Sequence, residues 1–136
     1  ALATAGGVVD FWKIRMRPGK PLICGTLGDA LFLGLPGNPV SAFVTATLFL
    51  LPLVRHLSGC RAPLPDVVAV TTGTDLPAVG DRDDYVRGYV ENGIVVPLVQ
   101  QDSAATLALA QANCLIHRPA GASAARLGEA VTILPF

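Results

Sequence analysis

"LFLGLPGNPVSAF", residues 31–43, joins an apolar run to a longer apolar segment through a Gly/Pro/Asn cluster. Asn38 is a favoured N-cap residue, and Pro39 after it suits the first helical position, where no N–H is needed. A helix is therefore predicted over residues 39–58. Gly59 supplies its stop, and a kink or a break near Leu51 is expected because Pro52 lies inside it. Upstream, residues 21–26 and 30–35 read as two strands joined at Gly28-Asp29. Their nearly continuous apolar character predicts burial on both faces of an α/β sheet. Before them, residues 9–17 read as one β-rich strand ending at the turn Pro18-Gly19.

Downstream, residues 60–66, "CRAPLPD", have linker composition. Beyond them come short β-type runs split by turns. Asn92-Gly93 predicts a hairpin between residues 85–90 and 94–99, and residues 105–113 form the one helix-like piece, with Asn113 as a stop. The predicted organisation is thus an α/β part over residues 1–60, read as the end of a larger domain because its helices are too few to cover its strands. A small, mostly-β, barrel-like domain follows over residues 61–136.

The chain has 136 residues, 51% of them hydrophobic, enough to build a core and to exclude intrinsic disorder. Its formal net charge is zero, which gives no electrostatic footprint for nucleic acid or an acidic membrane. The longest apolar segment, residues 40–54, is shorter than a membrane span and carries Ser41, Thr45, Thr47 and Pro52, so a buried core helix is expected. The N-terminus shows no basic signal-peptide region. Cys24, Cys60 and Cys114 have no metal-ligand spacing and read as small buried hydrophobes in a reducing compartment. His56 and His117 read as structural, and "DRDD" (81–84) as a solvated loop rather than a metal site.

Two features could carry chemistry. The N–H groups and dipole of a helix starting at "PGNPVS" favour an anion, with Ser41 at N3 adding a hydroxyl; an ordinary capped helix start explains the same residues. It is neither a Walker A loop nor a nucleophile elbow. In "KIRMRPGKP", a strand would place Lys13, Arg15 and Arg17 on one face, with Lys20 past the turn, as an oxyanion clamp or as a solvated basic edge. Arg87 lies in an apolar strand and needs a ligand or an ion pair with residues 81–84. Ser103 is either a polar site residue or the cap of the following helix.

"MRPGKP", "GLPGNPVSAF", "DYVRG", "QQDSA" and "AQANCLI", in this order, strongly resemble the C-terminal part of the molybdopterin molybdenumtransferase family, which includes the gephyrin E domain. The resemblance spans essentially the whole chain. It implies insertion of molybdate into adenylated molybdopterin with release of AMP, by a cytoplasmic homodimer assisted by Mg²⁺. It implies an oxyanion wall from Lys13, Arg17, Pro18 and Lys20, and a substrate-facing turn from Gly37, Asn38, Pro39 and Ser41. Arg87 and Ser103 would reach toward the molybdate. Arg17 stands where many members have Lys. The family's N-terminal segments and its acidic Mg²⁺-handling residues have no counterpart here, so the chain alone is expected to be inactive. A non-catalytic binding or scaffold module of the same descent is the alternative.

Overall fold

The computed structural model describes residues 3–101 and 106–136. A 3-10 turn, Ala3–Ala5, leads into β1 (Val8–Phe11), β2 (Met16–Arg17), β3 (Ile23–Leu27) and β4 (Ala30–Gly34). β1, β3 and β4 form a three-stranded antiparallel sheet, and Leu27 pairs with Ala30 across the predicted Gly28-Asp29 turn. Gly28 takes φ +57°, as the first position of a primed hairpin turn requires. The expected burial on both faces is not found: Val8, Val9, Phe11, Ile23, Leu27 and Leu31 are exposed. The strands are apolar, but among the described residues the helical segment packs on Met16, Leu115 and Leu134 rather than on this sheet.

The predicted strand 9–17 is divided between two sheets. β1 pairs with β3, whereas β2 pairs in parallel with β6 (Asp83–Glu91). Lys13, Arg15 and Arg17 therefore do not share one continuous strand face.

The helical segment runs from Pro39 to Leu57 as α1 (Pro39–Thr45), a π turn (Ala46–Leu50) and α2 (Leu51–Leu57). Asn38 is the N-cap, as predicted. Pro52 neither breaks nor restarts the helix. Its ring would clash with a carbonyl four residues back, and the widened turn before it, closed by Leu51 N–H donating to the Ala46 carbonyl, absorbs the misfit. At the far end Gly59 (φ +82°) donates to His56 and Cys60 to Arg55, a Schellman stop. This 19-residue segment is longer than the apolar run suggested, and its length and composition alone would allow it to cross a membrane. It packs instead through Phe43, Val44, Leu48 and Phe49 against Met16, Leu115 and Leu134. The Thr45 and Thr47 hydroxyls donate back to helix carbonyls. Val44 and Leu115 are fully buried, each worth about 1.5–3 kcal/mol, so this seam anchors the helix.

β5 (Val68–Thr72), β6, β7 (Ile94–Pro97), β8 (Cys114–Arg118) and β9 (Ala130–Pro135) form a closed barrel in the order β6-β7-β5-β9-β8, completed by β6 pairing with β8. The predicted Asn92-Gly93 hairpin joins β6 to β7, with both residues at positive φ. Side-chain alternation divides β8: Cys114 and Ile116 fill the interior with Leu76, Val95, Val131 and Ile133, while Leu115 faces α1. A third helix, α3 (Thr106–Gln111), lies within the span predicted from sequence. Of the cysteines only Cys114 is buried; Cys60 is exposed and Cys24 half-buried, which corrects the expectation for those two. Both lie outside the barrel core.

Candidate functional site

A cleft of about 450 Å³ opens between the first Pro-Gly turn, the start of α1 and strand β6. Pro18, Gly19 and Lys20 form one wall and Ser41 a second, while Tyr85 and Arg87 face it from β6. Among the described residues, Arg17, Lys20, Arg82 and Arg87 line it together with one carboxylate, Asp84. The structure thus brings Arg17, Pro18, Lys20, Ser41 and Arg87 of the sequence-derived set into one place.

The turn that carries Lys20 is held by backbone bonds. The Lys20 carbonyl accepts from Ile14 and Leu22 N–H, both at 3.1 Å. Gly19 sits at φ +110°, where a Cβ would stand 2.5 Å from Thr45 Cγ2. Only glycine lets the turn pack on α1 here.

Arg17 reaches the cleft but is engaged internally. Its Nε and Nη2 donate to the two Asp84 carboxylate oxygens at 2.7 and 2.5 Å, a bidentate fork. That bond and the attraction of Asp84 push the Arg17 pKa up. The pair follows from parallel β2–β6 register, which sets Arg17 beside Asp84. The edge an oxyanion would use is therefore already occupied by a carboxylate.

Arg87 is only 1% exposed. Its Nη2 donates to the Gln100 carbonyl at 3.0 Å. Gln101 clasps the same residue's backbone, accepting from Arg87 N–H at 3.1 Å and donating to its carbonyl at 2.8 Å. Of residues 81–84, proposed from sequence as its ion partners, Asp84 bonds Arg17 instead. Tyr85 also lines the cleft. Burial and the nearby Asp83 push its phenol up, so it stays a protonated donor at neutral pH. His117 stacks on Tyr85, with ring centroids 4.8 Å apart, and approaches Asp83 at 3.4 Å, a packing role as expected; His56 is exposed on α2.

The second turn does less than the sequence suggests. Asn38 Oδ1 accepts from both Val40 and Ser41 N–H, and its carbonyl accepts from Ala42 N–H. Pro39 has no N–H. The first-turn donors are thus used by the cap itself and are not presented to an anion. Gly37, Asn38 and Pro39 do not line the cleft; Ser41, buried at 7% exposure, does. Lys13 also lies outside it, with its Nζ 3.8 Å over the Trp12 ring. Ser103 falls outside the described residues. Sequence reasoning missed Arg82, Tyr85, Asp84 and Gln101 as cleft residues. The only signal for them was adjacency to Arg87 and to the polar "QQDSA" loop.

Among the described residues no three His, Cys, Asp or Glu side chains stand together to hold a metal ion. These residues do not fit a Mg²⁺ site.

Comparison with known proteins agrees with this architecture. The family model described as MoeA C-terminal region (domain IV) matches residues 69–136, and one described as a probable molybdopterin binding domain matches residues 1–56. Molybdopterin molybdenumtransferase of Haemophilus influenzae is 42% identical over 96% of this chain and 34% of its own length. The Staphylococcus aureus (strain COL) protein of that name is 29% identical over 93% of the chain and 31% of its length. The Drosophila melanogaster molybdenum cofactor synthesis protein cinnamon is 36% identical over 90% of the chain and 21% of its length. The chain therefore spans about a third or less of these relatives. The molybdopterin biosynthesis moeA protein of Pyrococcus horikoshii shares the fold, with TM-score 0.80 at 24% identity over 100% of this chain and 34% of that one. By the match over its barrel half, preceded by molybdopterin-binding-domain sequence, the chain belongs to the MoeA C-terminal region (domain IV) family.

Proposed function

We propose that this chain supplies the oxyanion-holding part of an enzyme of molybdenum cofactor biosynthesis that inserts molybdate into adenylated molybdopterin and releases AMP. The observation that carries this is the convergence of four basic side chains with Ser41 and Tyr85 in one cleft. Molybdate is a tetrahedral dianion, and the adenylated substrate carries a pyrophosphate. Lys20, exposed and flexible, captures the anion as a mobile point charge. Arg87, fixed by Gln100 and Gln101, offers a preorganised charge at the cleft floor. Ser41 and Tyr85 can donate hydrogen bonds to oxo groups, and holding molybdate in place lowers the entropic cost of its transfer. Arg17 joins only when the dianion draws it from Asp84. The working form in this reading is a cytoplasmic homodimer with small-molecule substrates, completed by sequence the relatives carry beyond this third.

The test is a chimera in which this chain replaces the corresponding third of the Haemophilus influenzae protein. Lys20→Ala, an exposed change that spares the fold, is expected to lower molybdenum insertion at least about tenfold, mainly by raising the molybdate requirement. Insertion at the unsubstituted rate, with the same molybdate dependence, would refute the assignment.

A further inference from the structure

The cleft is rich in hydrogen-bond donors and short of acceptors. The side chains of Lys20, Arg82 and Arg87 only donate, and Ser41 and Tyr85 add hydroxyls. Several acceptors on its wall are already engaged. The Lys20 carbonyl accepts from Ile14 and Leu22 N–H, and the Arg87 carbonyl from Leu98 N–H at 2.9 Å and Gln101 Nε2 at 2.8 Å. The Ser41 carbonyl accepts from the Thr45 hydroxyl at 2.8 Å, and Gln101 Oε1 from Arg87 N–H at 3.1 Å. Among the described residues the one carboxylate lining the cleft is Asp84.

Asp84 is masked by Arg17. The fork takes both carboxylate oxygens, at 2.7 and 2.5 Å, and neutralises their charge. The Asp84 side chain is 13% exposed against 66% for Arg17, so the guanidinium stands over the carboxylate. Tetrahedral dianions differ in what they ask of such a site. Molybdate and sulfate are fully ionised, and their oxygens only accept. Hydrogen phosphate matches their charge and tetrahedral shape but carries a P–OH, and a donor left unpaired in a cleft costs binding. A Ser41 or Tyr85 hydroxyl would have to turn its own O–H off the anion to receive it. Asp84 would receive it directly, were it not held by Arg17.

We propose that Arg17 is a specificity-determining residue: by holding Asp84 it removes the acceptor that hydrogen phosphate needs, and so keeps the cleft for dianions without a proton. This selectivity rests on the oxyanion role proposed for the cleft. While the fork is closed, the Arg17 donors serve Asp84, and Lys20, Arg82 and Arg87 supply the charge that draws the anion. Without Arg17 the bare carboxylate would repel molybdate and bond the P–OH group, moving the preference toward phosphate from both directions. Attraction of charge alone cannot reject an anion of equal charge and like shape; the masked acceptor can.

Low-salt calorimetric titration of the 136-residue chain tests it, with molybdate, sulfate and phosphate as probes, at a pH where phosphate is chiefly the hydrogen phosphate dianion. Molybdate and sulfate are expected to bind at least about tenfold more tightly than phosphate. Arg17→Met should erase or reverse that preference, weakening molybdate and sulfate while phosphate binding persists; the persisting signal shows that the variant folds. Arg17→Met combined with Asp84→Asn should bring the preference back, because no carboxylate remains to accept or repel. Weakening of all three anions by one common factor in Arg17→Met would overturn the proposal and leave the oxyanion role standing. So would equal binding of phosphate and sulfate to the unsubstituted chain, or a preference that the double variant does not restore. No binding of molybdate or sulfate to the unsubstituted chain would overturn the oxyanion role as well.

Discussion

The two Pro-Gly turns look alike in sequence but differ in what their glycines must do. Gly19 takes φ +110°, and an added Cβ would lie 2.5 Å from Thr45 Cγ2, with Met16 Cε next at 3.5 Å. Thr45 cannot simply rotate away: it is fully buried, and its hydroxyl donates to the Ser41 carbonyl at 2.8 Å. Gly19→Ala therefore carries about 1–3 kcal/mol of backbone strain and a further ~1–3 kcal/mol of overpacking. Together these cost about 2–6 kcal/mol. With an m-value of about 2 kcal/mol per M, the urea midpoint should fall by about 1–3 M. Gly37 has open space where its Cβ would sit and is not among the positive-φ glycines. Gly37→Ala should change stability by no more than about 1 kcal/mol, with either sign. Urea unfolding followed by circular dichroism compares the two variants. Equal midpoints for both, or an unchanged midpoint for Gly19→Ala, would show that the first turn is not seated on α1.

Two further outcomes are expected. Asp84→Asn frees the Arg17 fork and should tighten molybdate binding by about two- to fivefold in low-salt calorimetry. The gain is small because the Arg17 side chain is 66% exposed and its charge is screened; unchanged affinity would remove Arg17 from the site. Burial pushes the Cys114 thiol up to about 11, above its unfolded value of about 8.5. The folded state then resists ionisation that the unfolded chain undergoes, so stability falls as pH rises through that window. Tyr85 is shifted in the same direction and adds to the loss above about pH 10. Cys114→Ala should flatten the decline of the urea midpoint between about pH 8.5 and 10; an unaltered slope would contradict the burial argument.

What the sequence made legible is mainly local. Asn38-Pro39, Gly28-Asp29, Asn92-Gly93 and Gly59 each encode a backbone geometry within a few residues, and each stands where expected. What stayed hidden depends on distant partners. Nothing within residues 8–17 says that the strand changes sheets after β1, because the cause is β6, some 67 positions away in sequence. The same distance hides the Asp84 that occupies Arg17. The apolar strands β3 and β4 misled because hydrophobicity reports what a segment can bury, not what this chain sets against it. The cap was legible, whereas the sequence left open whether its N–H groups face an anion; in the structure one side-chain oxygen accepts from two of them.

β6 explains how a charged cleft can adjoin the interior of so small a barrel. Tyr85 and Arg87 face the cleft, whereas Val86 alternates with them and packs on the interior cluster. A register slip of one residue would exchange these sets and turn Arg87 toward the apolar interior. The strand is pinned against such a slip at three places. Asn92-Gly93 fixes its end, and Gly88 admits the close approach of Ile116, whose Cγ1 would be 3.0 Å from a Cβ there. Asn113 grips Val90 from both sides, accepting from its N–H at 2.8 Å and donating to its carbonyl at 2.9 Å. Asn113 thus does more than end a helix: it helps set which face of β6 carries each charge, and with it the separation of the cleft from the barrel interior.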